Sequence, residues 1–210
     1  MARGADLVGL TVLAMLSVRD SHPYELQRFI VATHKDYVTG LPRSLYHAVE
    51  RLTRDELIEP AETVRDGRRP ERTVYRITDE GRGHLAGRLR TLIEVPELDR
   101  RTFVAAVSLL GCLPATTARQ ALRTRAATIT GTVTGLAEQL TALRGEGLPD
   151  VVLLELEYER AVQQAELDWI GTVLDRIEGG DLDWSGTVRL DLLDDVLREP
   201  DETQPGKRTP

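Results

Sequence analysis

The first predicted helix is apolar on almost every side. Asp6 is a suitable N-cap for a helix over Leu7–Ser17. Its apolar residues, which include Leu7 and Leu10, leave hardly any polar face. A helix of this kind is buried on more than one side. We therefore expect it to pack on its own core and also on a second subunit.

Two amphipathic helices are predicted next. One begins at Pro23, which suits the first helical position because no N–H is needed there. The other carries Leu45, Ala48, Val49 and Leu52 at the spacing of a single helix face. A helical projection places polar side chains on the opposite side and on its flanks: Arg43, Ser44, Tyr46, His47, Glu50, Arg51 and Arg54.

A β-hairpin is predicted after the third helix. Two short stretches rich in Thr and Val flank Asp66-Gly67, a dipeptide typical of hairpin turns. Pro70 in the same loop suits an exposed tip. This loop carries four arginines, which are Arg65, Arg68, Arg69 and Arg72. Thr78 then caps another helix, which ends before Pro96, and a further helix ends before Pro114.

The pattern changes beyond Pro114. Apolar residues then recur at alternating spacings of four and three, which is typical of coiled-coil packing. A last long helix over roughly Asp150 to Glu178 has its own apolar face, so we expect the two helices to fold back as an antiparallel pair. A short tail helix is expected around Leu190, followed by disorder. The heptad positions are Leu122, Ala126, Ile129, Val133, Leu136, Leu140 and Leu143.

Composition narrows the class of protein. Of the 210 residues, 41% are hydrophobic but only 4% are aromatic, so the core must be mostly aliphatic, which favours helices. The single cysteine, Cys112, excludes an intrachain disulfide and suits a reducing cytoplasm. The apolar stretch Leu7–Val18 is shorter than the roughly 20 residues that a bilayer requires. We therefore expect a soluble, cytoplasmic protein.

Charge is distributed unevenly along the chain. Residues 1–93 carry a net charge of +2 and residues 94–210 a net charge of −9, which together give −7. An acidic whole is compatible with a nucleic-acid partner, because binding depends on the local face.

Three helices followed by an arginine-tipped hairpin is the order of elements in a winged helix-turn-helix. In that module one helix enters the DNA major groove and the hairpin contacts the backbone or minor groove. An arginine-rich turn alone is most often a solvated loop. DNA binding is favoured here because the three helices and the arginine-tipped hairpin occur together and in this order. We predict that Glu50 pairs with Arg54 and does not read a base. The predicted DNA-contacting residues are Arg43, Ser44, Tyr46, His47, Arg51 and Arg54 on the helix, and Arg65, Arg68, Arg69 and Arg72 on the wing.

Four segments together resemble the PadR family of transcriptional regulators: "HPYEL", "SLYHAVERLTRDELIE", "RTVYRITDEG" and "ELDWIGTVLDRIEGG", within residues 5–180. The chain departs from the family at Pro23, where Gly is usual, and at His47, where Pro is usual. The resemblance implies a homodimer with N-terminal winged helices and a C-terminal helical dimerisation domain. It also implies a repressor that binds an operator in double-stranded DNA and is released by a small aromatic or drug-like effector.

The resulting expectation is a mainly α protein with a small β-hairpin wing. Residues 1–94 would form the winged helix-turn-helix, residues 95–180 the dimerisation domain and residues 181–210 a tail. Trp169 is a candidate for an effector pocket, although a Trp in a dimer core is the more frequent case. The predicted dimer contacts are Leu7, Leu10, Leu122, Ile129, Val133, Leu136, Leu140, Leu167, Ile170 and Leu174.

Other functions are less compatible with the sequence. A helical adaptor in which the wing is only a loop would share the coiled-coil pattern, but it would bind no DNA at low salt. Neither a catalytic motif nor a glycine-rich phosphate loop is present, so we expect no enzyme. One cysteine and scattered histidines suggest no metal site and no cofactor. The histidines are His22, His34, His47 and His84.

Overall fold

The computed structural model describes residues 6–35, 37–64, 72–96, 99–182 and 184. It confirms a mainly helical chain with a two-stranded antiparallel hairpin. The elements are α1 (Leu7–Val18), α2 (Pro23–Ala32), α3 (Arg43–Arg54), β1 (Ile58–Val64), β2 (Arg72–Ile77), α4 (Asp79–Glu94), α5 (Arg100–Ser108), α6 (Ala115–Gly145) and α7 (Leu154–Gly179). Short 3-10 turns precede α6 and α7, at Leu110–Cys112 and Asp150–Val152.

The described chain divides into two compact units. The winged unit comprises residues 8–81, and the helical unit comprises Leu7 with residues 82–182 and 184. Helix α4 begins in the winged unit and continues into the helical unit.

Helix α1 is already covered within one chain. Val12, Leu13 and Leu16 are fully buried, and Leu10 is only 4% exposed. Leu7 is half-buried. Much less of the apolar surface of α1 therefore remains for a second subunit to cover than the sequence pattern predicted.

Helices α2 and α3 present their predicted apolar faces inward. Leu26 and Ile30 of α2 are buried, as are all four predicted inward residues of α3. The N-cap of α2 is His22, whose Nδ1 accepts a hydrogen bond from the Glu25 N–H at 3.2 Å. The His22 N–H donates to Oε2 of Glu25 at 3.1 Å, which completes a reciprocal capping box.

The hairpin is joined to the turn between α1 and α2. Its strands pair antiparallel from Ile58↔Ile77 outward, with a register irregularity between Pro60 and Glu62. Ser21 adds a short third segment, because its N–H and C=O both bond to the backbone of Tyr75. The base of the wing is thus held by backbone pairing on both sides of β2.

The start of α4 is fixed tightly to the winged unit. Thr78 caps the helix as predicted, because its hydroxyl oxygen accepts a hydrogen bond from the Gly81 N–H at 3.0 Å. The same hydroxyl donates to the Glu56 carbonyl at 2.9 Å. Gly81 lies against the backbone of Leu57, where a side chain would have no room.

Helices α6 and α7 form the predicted antiparallel pair. Arg123 near the start of α6 pairs with Glu178 near the end of α7 at 2.5 Å, and Arg144 near the end of α6 pairs with Glu157. Of the heptad positions, Leu122, Ile129 and Leu140 are buried, whereas Ala126, Val133, Leu136 and Leu143 are half-buried.

Helix α6 is continuous over 31 residues although its sequence is rich in threonine and glycine. Several threonine hydroxyls donate to the carbonyl four residues earlier, as Thr130 does to Ala126 at 2.8 Å. Beyond α7, the indole N–H of Trp184 donates to the Leu113 carbonyl at 2.8 Å. The predicted tail helix around Leu190 lies outside the described residues. Among the helices that are described, none is both long enough and apolar enough to cross a membrane.

Candidate DNA interface and candidate effector groove

The outward face of α3 is polar and accessible. Tyr46 is 49% exposed, and Arg43, His47, Glu50 and Arg54 are exposed as the helical projection predicts. Ser44 and Arg51 on the flanks are half-buried. The face therefore offers one aromatic and several cationic side chains on a helix whose other side is fixed in the core.

Contacts along this face differ from one expectation. Arg43 Nε donates to His47 Nε2 at 3.3 Å, and His47 Nδ1 lies 3.6 Å from Oε2 of Glu50. The predicted pairing of Glu50 with Arg54 is therefore wrong. His47, one turn earlier on the same face, presents its ring to the carboxylate and takes the place of the arginine.

Ser44, in the first turn of α3, is hydrogen-bonded within the chain. The Ser44 hydroxyl donates to the Thr39 carbonyl at 2.7 Å, and the Ser44 N–H donates to the Gly40 carbonyl at 3.1 Å. Each group carries a single hydrogen, so in this arrangement Ser44 has no donor left for a phosphate, which only accepts. The predicted DNA contact of Ser44 would therefore require its hydroxyl to leave the Thr39 carbonyl.

The tip of the wing falls outside the described residues. This applies to Arg65, Arg68 and Arg69, and to the side chain of Arg72, whose backbone begins β2. Arg76 further along β2 is described, and its guanidinium donates to Oδ2 of Asp20 at 2.6 and 2.9 Å. This hydrogen bond and the charge attraction to Asp20 raise the pKa of Arg76.

A shallow groove of about 440 Å³ runs beside α3 in the winged unit. Sequence reasoning selected Tyr46 here but missed its aromatic neighbours Tyr24 and Tyr75. Tyr24 is 48% exposed at the start of α2. The signal was available in "HPYEL", where a tyrosine at the first turn of an amphipathic helix lies off the apolar face. The groove is lined by His22, Pro23, Tyr24, Tyr46, Val49, Glu50, Thr73 and Tyr75.

A second groove, of about 390 Å³, lies between α5 and α7. Trp169, the predicted pocket residue, is 39% exposed, and its ring meets the Phe103 ring edge-on with centroids 6.0 Å apart. Sequence reasoning missed Phe103 and Arg100, because nothing in their spacing relates α5 to α7. The groove is lined by Arg100, Phe103, Val104, Val107, Val162, Ala165, Glu166 and Trp169.

A buried arginine supports this second groove. Arg125 of α6 is 2% exposed, and its Nε donates to Oε1 of Glu166 at 2.5 Å. The guanidinium carbon lies 3.8 Å from the centroid of the Phe103 ring. Nη1 donates to the carbonyl of Val95 at 3.0 Å and lies 3.4 Å from that of Ile93. In the part of the chain that is described, no group of three or more His, Cys, Asp or Glu residues could hold a metal ion.

One family model is similar to the N-terminal part of the chain. Residues 12–87 match the family described as "Transcriptional regulator PadR-like family". No curated protein sequence matches the chain.

The chain is also similar to solved structures, with low TM-scores over most of its length. Bacillus subtilis PadR in complex with operator DNA is 17% identical, with 83% of this chain and 99% of that chain covered and a TM-score of 0.41. The smu.1604c protein of Streptococcus mutans is 20% identical, with 82% and 99% covered and a TM-score of 0.38. Bacillus subtilis PadR with p-coumaric acid is 15% identical, with 82% and 99% covered and a TM-score of 0.37. At these TM-scores the overall likenesses support no inference about binding by this chain.

Proposed function

We propose, from the match of residues 12–87 to the PadR-like family of transcriptional regulators, that the protein is a ligand-responsive repressor. It binds a near-palindromic operator as a homodimer. The observation that carries the proposal is the arrangement of α3, whose apolar face is buried in the winged unit while its outward face carries exposed Arg43, Tyr46, His47 and Arg54.

Helix α3 is the reading helix in this proposal. The major groove, about 12 Å wide, accepts one helix, and arginine can make two hydrogen bonds to a guanine edge. Arg43 and Arg54 lie on the outward face and Arg51 on its flank. Tyr46 combines an apolar ring, which suits a thymine methyl, with a hydroxyl that can reach a phosphate or base.

The wing supplies sequence-independent affinity. Arg65, Arg68, Arg69 and Arg72 would neutralise phosphates and release counterions, which makes binding strongly dependent on salt. Backbone pairing of Ser21 with Tyr75 and the ion pair of Asp20 with Arg76 support this role, because they hold the base of the hairpin against the winged core.

Dimerisation would rest on the residues that one chain leaves partly uncovered. Of the predicted contacts, Leu10, Leu122, Ile129, Leu140 and Ile170 are buried within the single chain. A second subunit would therefore contact the half-buried residues. A C2 dimer would set two reading helices about 34–36 Å apart, one DNA turn, and would call for a near-palindromic operator. The half-buried predicted contacts are Leu7, Val133, Leu136, Leu167 and Leu174.

The groove between α5 and α7 is the effector site in this proposal. Its size lies within the roughly 300–1,000 Å³ of ordinary ligand pockets, and Phe103 and Trp169 offer faces and edges for a flat molecule. The charge of Glu166 is balanced by Arg125, which leaves Arg100 at the groove as a cation without an ion-pair partner among the described residues. A small, flat, apolar molecule with one negative charge fits this arrangement best.

Selection from a random double-stranded DNA library by the full-length protein, followed by footprinting of the recovered sequences, tests the proposal. We expect one recurrent motif with two half-sites whose centres are about 10 base pairs, or a multiple, apart. Recovery of no DNA even at low salt would contradict the proposal and favour the helical adaptor instead.

A further inference from the structure

We propose that Arg125 is the positioning residue through which occupancy of the groove between α5 and α7 acts on α4, and through α4 on the winged unit. The inference rests on the proposed function, because it assigns a route between the effector groove and the DNA-binding unit. It assigns Arg125 no contact with either the effector or DNA.

On one side, Arg125 supports the wall of the groove. Glu166 and Phe103 both line the groove, and both contact the Arg125 guanidinium: Glu166 through a 2.5 Å hydrogen bond and Phe103 through its ring face at 3.8 Å. A molecule bound between Phe103 and Trp169 would lie on the surface that Glu166 and Phe103 form. It must therefore displace Glu166 or Phe103, or press one of them closer to Arg125.

On its other side, Arg125 holds the end of α4. The last carbonyls of a helix have no partner within the helix and carry partial negative charge, so a cation that donates to them stabilises the helix end. Arg125 donates to the carbonyl of Val95, directly after α4, and lies within reach of that of Ile93 in the last turn. One side chain therefore joins the groove wall to the C-terminal end of α4.

The burial of Arg125 makes this link stiff. At 2% exposure there is little water to replace a lost partner, and an unpaired buried guanidinium is strongly destabilising. When Glu166 or Phe103 moves, Arg125 must therefore move with it or change its hydrogen bonds to α4. Lysine could not substitute, since its compact ammonium lacks the fork that reaches a carboxylate and backbone carbonyls together.

Helix α4 passes this change to the winged unit because it is also fixed at its start. Thr78 bonds to the Glu56 carbonyl, and Gly81 lies so close to Leu57 that a Cβ atom on Gly81 would be 2.1 Å from the Leu57 carbonyl oxygen. Between the two ends run the 16 residues of one continuous helix, about 24 Å long at 1.5 Å per residue. A displacement of the C-terminal end of α4 therefore also displaces its N-terminal end, next to the hairpin.

A covalent probe tests this route without knowledge of the natural effector. Val104→Cys, in a Cys112→Ser background, places a thiol in the groove, and monobromobimane attaches a small flat ring system there as the thiolate displaces bromide. Gln120→Cys in the same background is the matched control, because Gln120 is exposed on α6 and does not line the groove. Affinity for the DNA recovered by library selection is measured for each protein before and after labelling.

The expected result is a change in DNA affinity of about fivefold or more when position 104 is labelled, within the usual range of allosteric coupling. No change is expected at position 120. The same label at position 104 should lose its effect when Arg125→Met is combined with Glu166→Leu, a pair of changes that leaves no buried charge unpaired. Should that double variant fail to fold, Arg125→Lys takes its place, and the effect of the label should fall by at least half.

Each other outcome has a definite meaning. If the unlabelled proteins bind no DNA, the proposed function itself has failed. If they bind DNA but the label at position 104 leaves affinity unchanged, or changes it equally with and without Arg125, the route through Arg125 is overturned. It is equally overturned if the label at position 104 alters the sedimentation coefficient, because the groove would then be a contact between subunits.

Discussion

Gly81 packs directly against the backbone of Leu57: a Cβ atom built on Gly81 would lie 2.1 Å from the Leu57 carbonyl oxygen. The same Cβ would lie 2.8 Å from Cγ1 of Ile77, the residue that ends β2. The first turn of α4 can approach the hairpin this closely because glycine has no side chain. This contact is why a helix that runs into the helical unit begins at a fixed place on the winged unit.

Gly81→Ala should destabilise the protein, because the backbone must shift to admit the methyl group. We expect a loss of about 1–3 kcal/mol in the free energy of unfolding, as is usual for overpacking. Gly87→Ala is the matched control in the same helix, where nothing lies within 4 Å of the added Cβ. It should stabilise the protein by about 0.5–1 kcal/mol. Urea unfolding of both variants measures the difference, and equal effects would contradict the close approach.

The capping box at the start of α2 predicts a specific role for His22. His22→Ala removes the acceptor for the Glu25 N–H and should cost about 0.5–2 kcal/mol of stability. His22→Asn retains a side-chain acceptor suited to an N-cap and should remain near wild type. Thermal unfolding followed by circular dichroism separates the two variants. If Asn is as harmful as Ala, the histidine has a role other than capping.

The wing should contribute affinity without sequence preference. Arg68→Ala combined with Arg69→Ala is expected to weaken binding to every DNA sequence about equally, since contacts at a hairpin tip go to phosphate or sugar. The slope of log affinity against log salt should become shallower by roughly one unit for each phosphate contact that is lost. Titrations at several salt concentrations measure this slope, and an unchanged slope and affinity would remove the wing from the mechanism.

The proposed dimer is tested by sedimentation of the full-length protein at micromolar concentration. We expect one species at about twice the 23.4 kDa of the chain. Leu136→Glu should weaken association, because it puts a charge among the half-buried leucines of α6. Gln139→Glu adds the same charge to an exposed position of that helix and should have no effect. A wild-type species of 23.4 kDa would contradict the dimer and the palindromic operator that depends on it.

Periodicity and turn chemistry predicted most of the fold, because these signals are local. The buried face of α3, the cap at Thr78 and the antiparallel pairing of α6 with α7 all follow from spacings within a few turns of helix. The role of Arg125 could not be predicted in this way. Its partners Ile93, Val95 and Glu166 lie 30 to 41 residues away, and only folding brings them together.

The candidate site was predictable to a similar extent. The exposure of the α3 face follows from its apolar pattern, whereas the pairing of Glu50 depends on side-chain geometry, because His47 three residues before it and Arg54 four residues after it are both within reach on a helix. Ser44 illustrates the same limit, since its hydroxyl turns back to the Thr39 carbonyl instead of facing outward. Sequence analysis selected only Trp169 for the groove between α5 and α7, because the lining residues of α5 lie far from α7 along the chain.

The central claim is that α3 reads DNA sequence, and Tyr46 and Arg51 provide the most direct test. Tyr46→Ala removes an exposed ring from the outward face without touching the buried one, so the fold should be retained. Arg51→Ala, on the flank of the same face, is expected to act in the same direction. The decisive measurement is the ratio of affinity for the selected operator to affinity for unrelated DNA, at physiological salt. We predict that this ratio falls by at least about tenfold in each variant, as the loss of one good base contact implies, while thermal unfolding stays near wild type. A wild-type ratio and an unchanged footprint in both variants would show that α3 is not the reading helix.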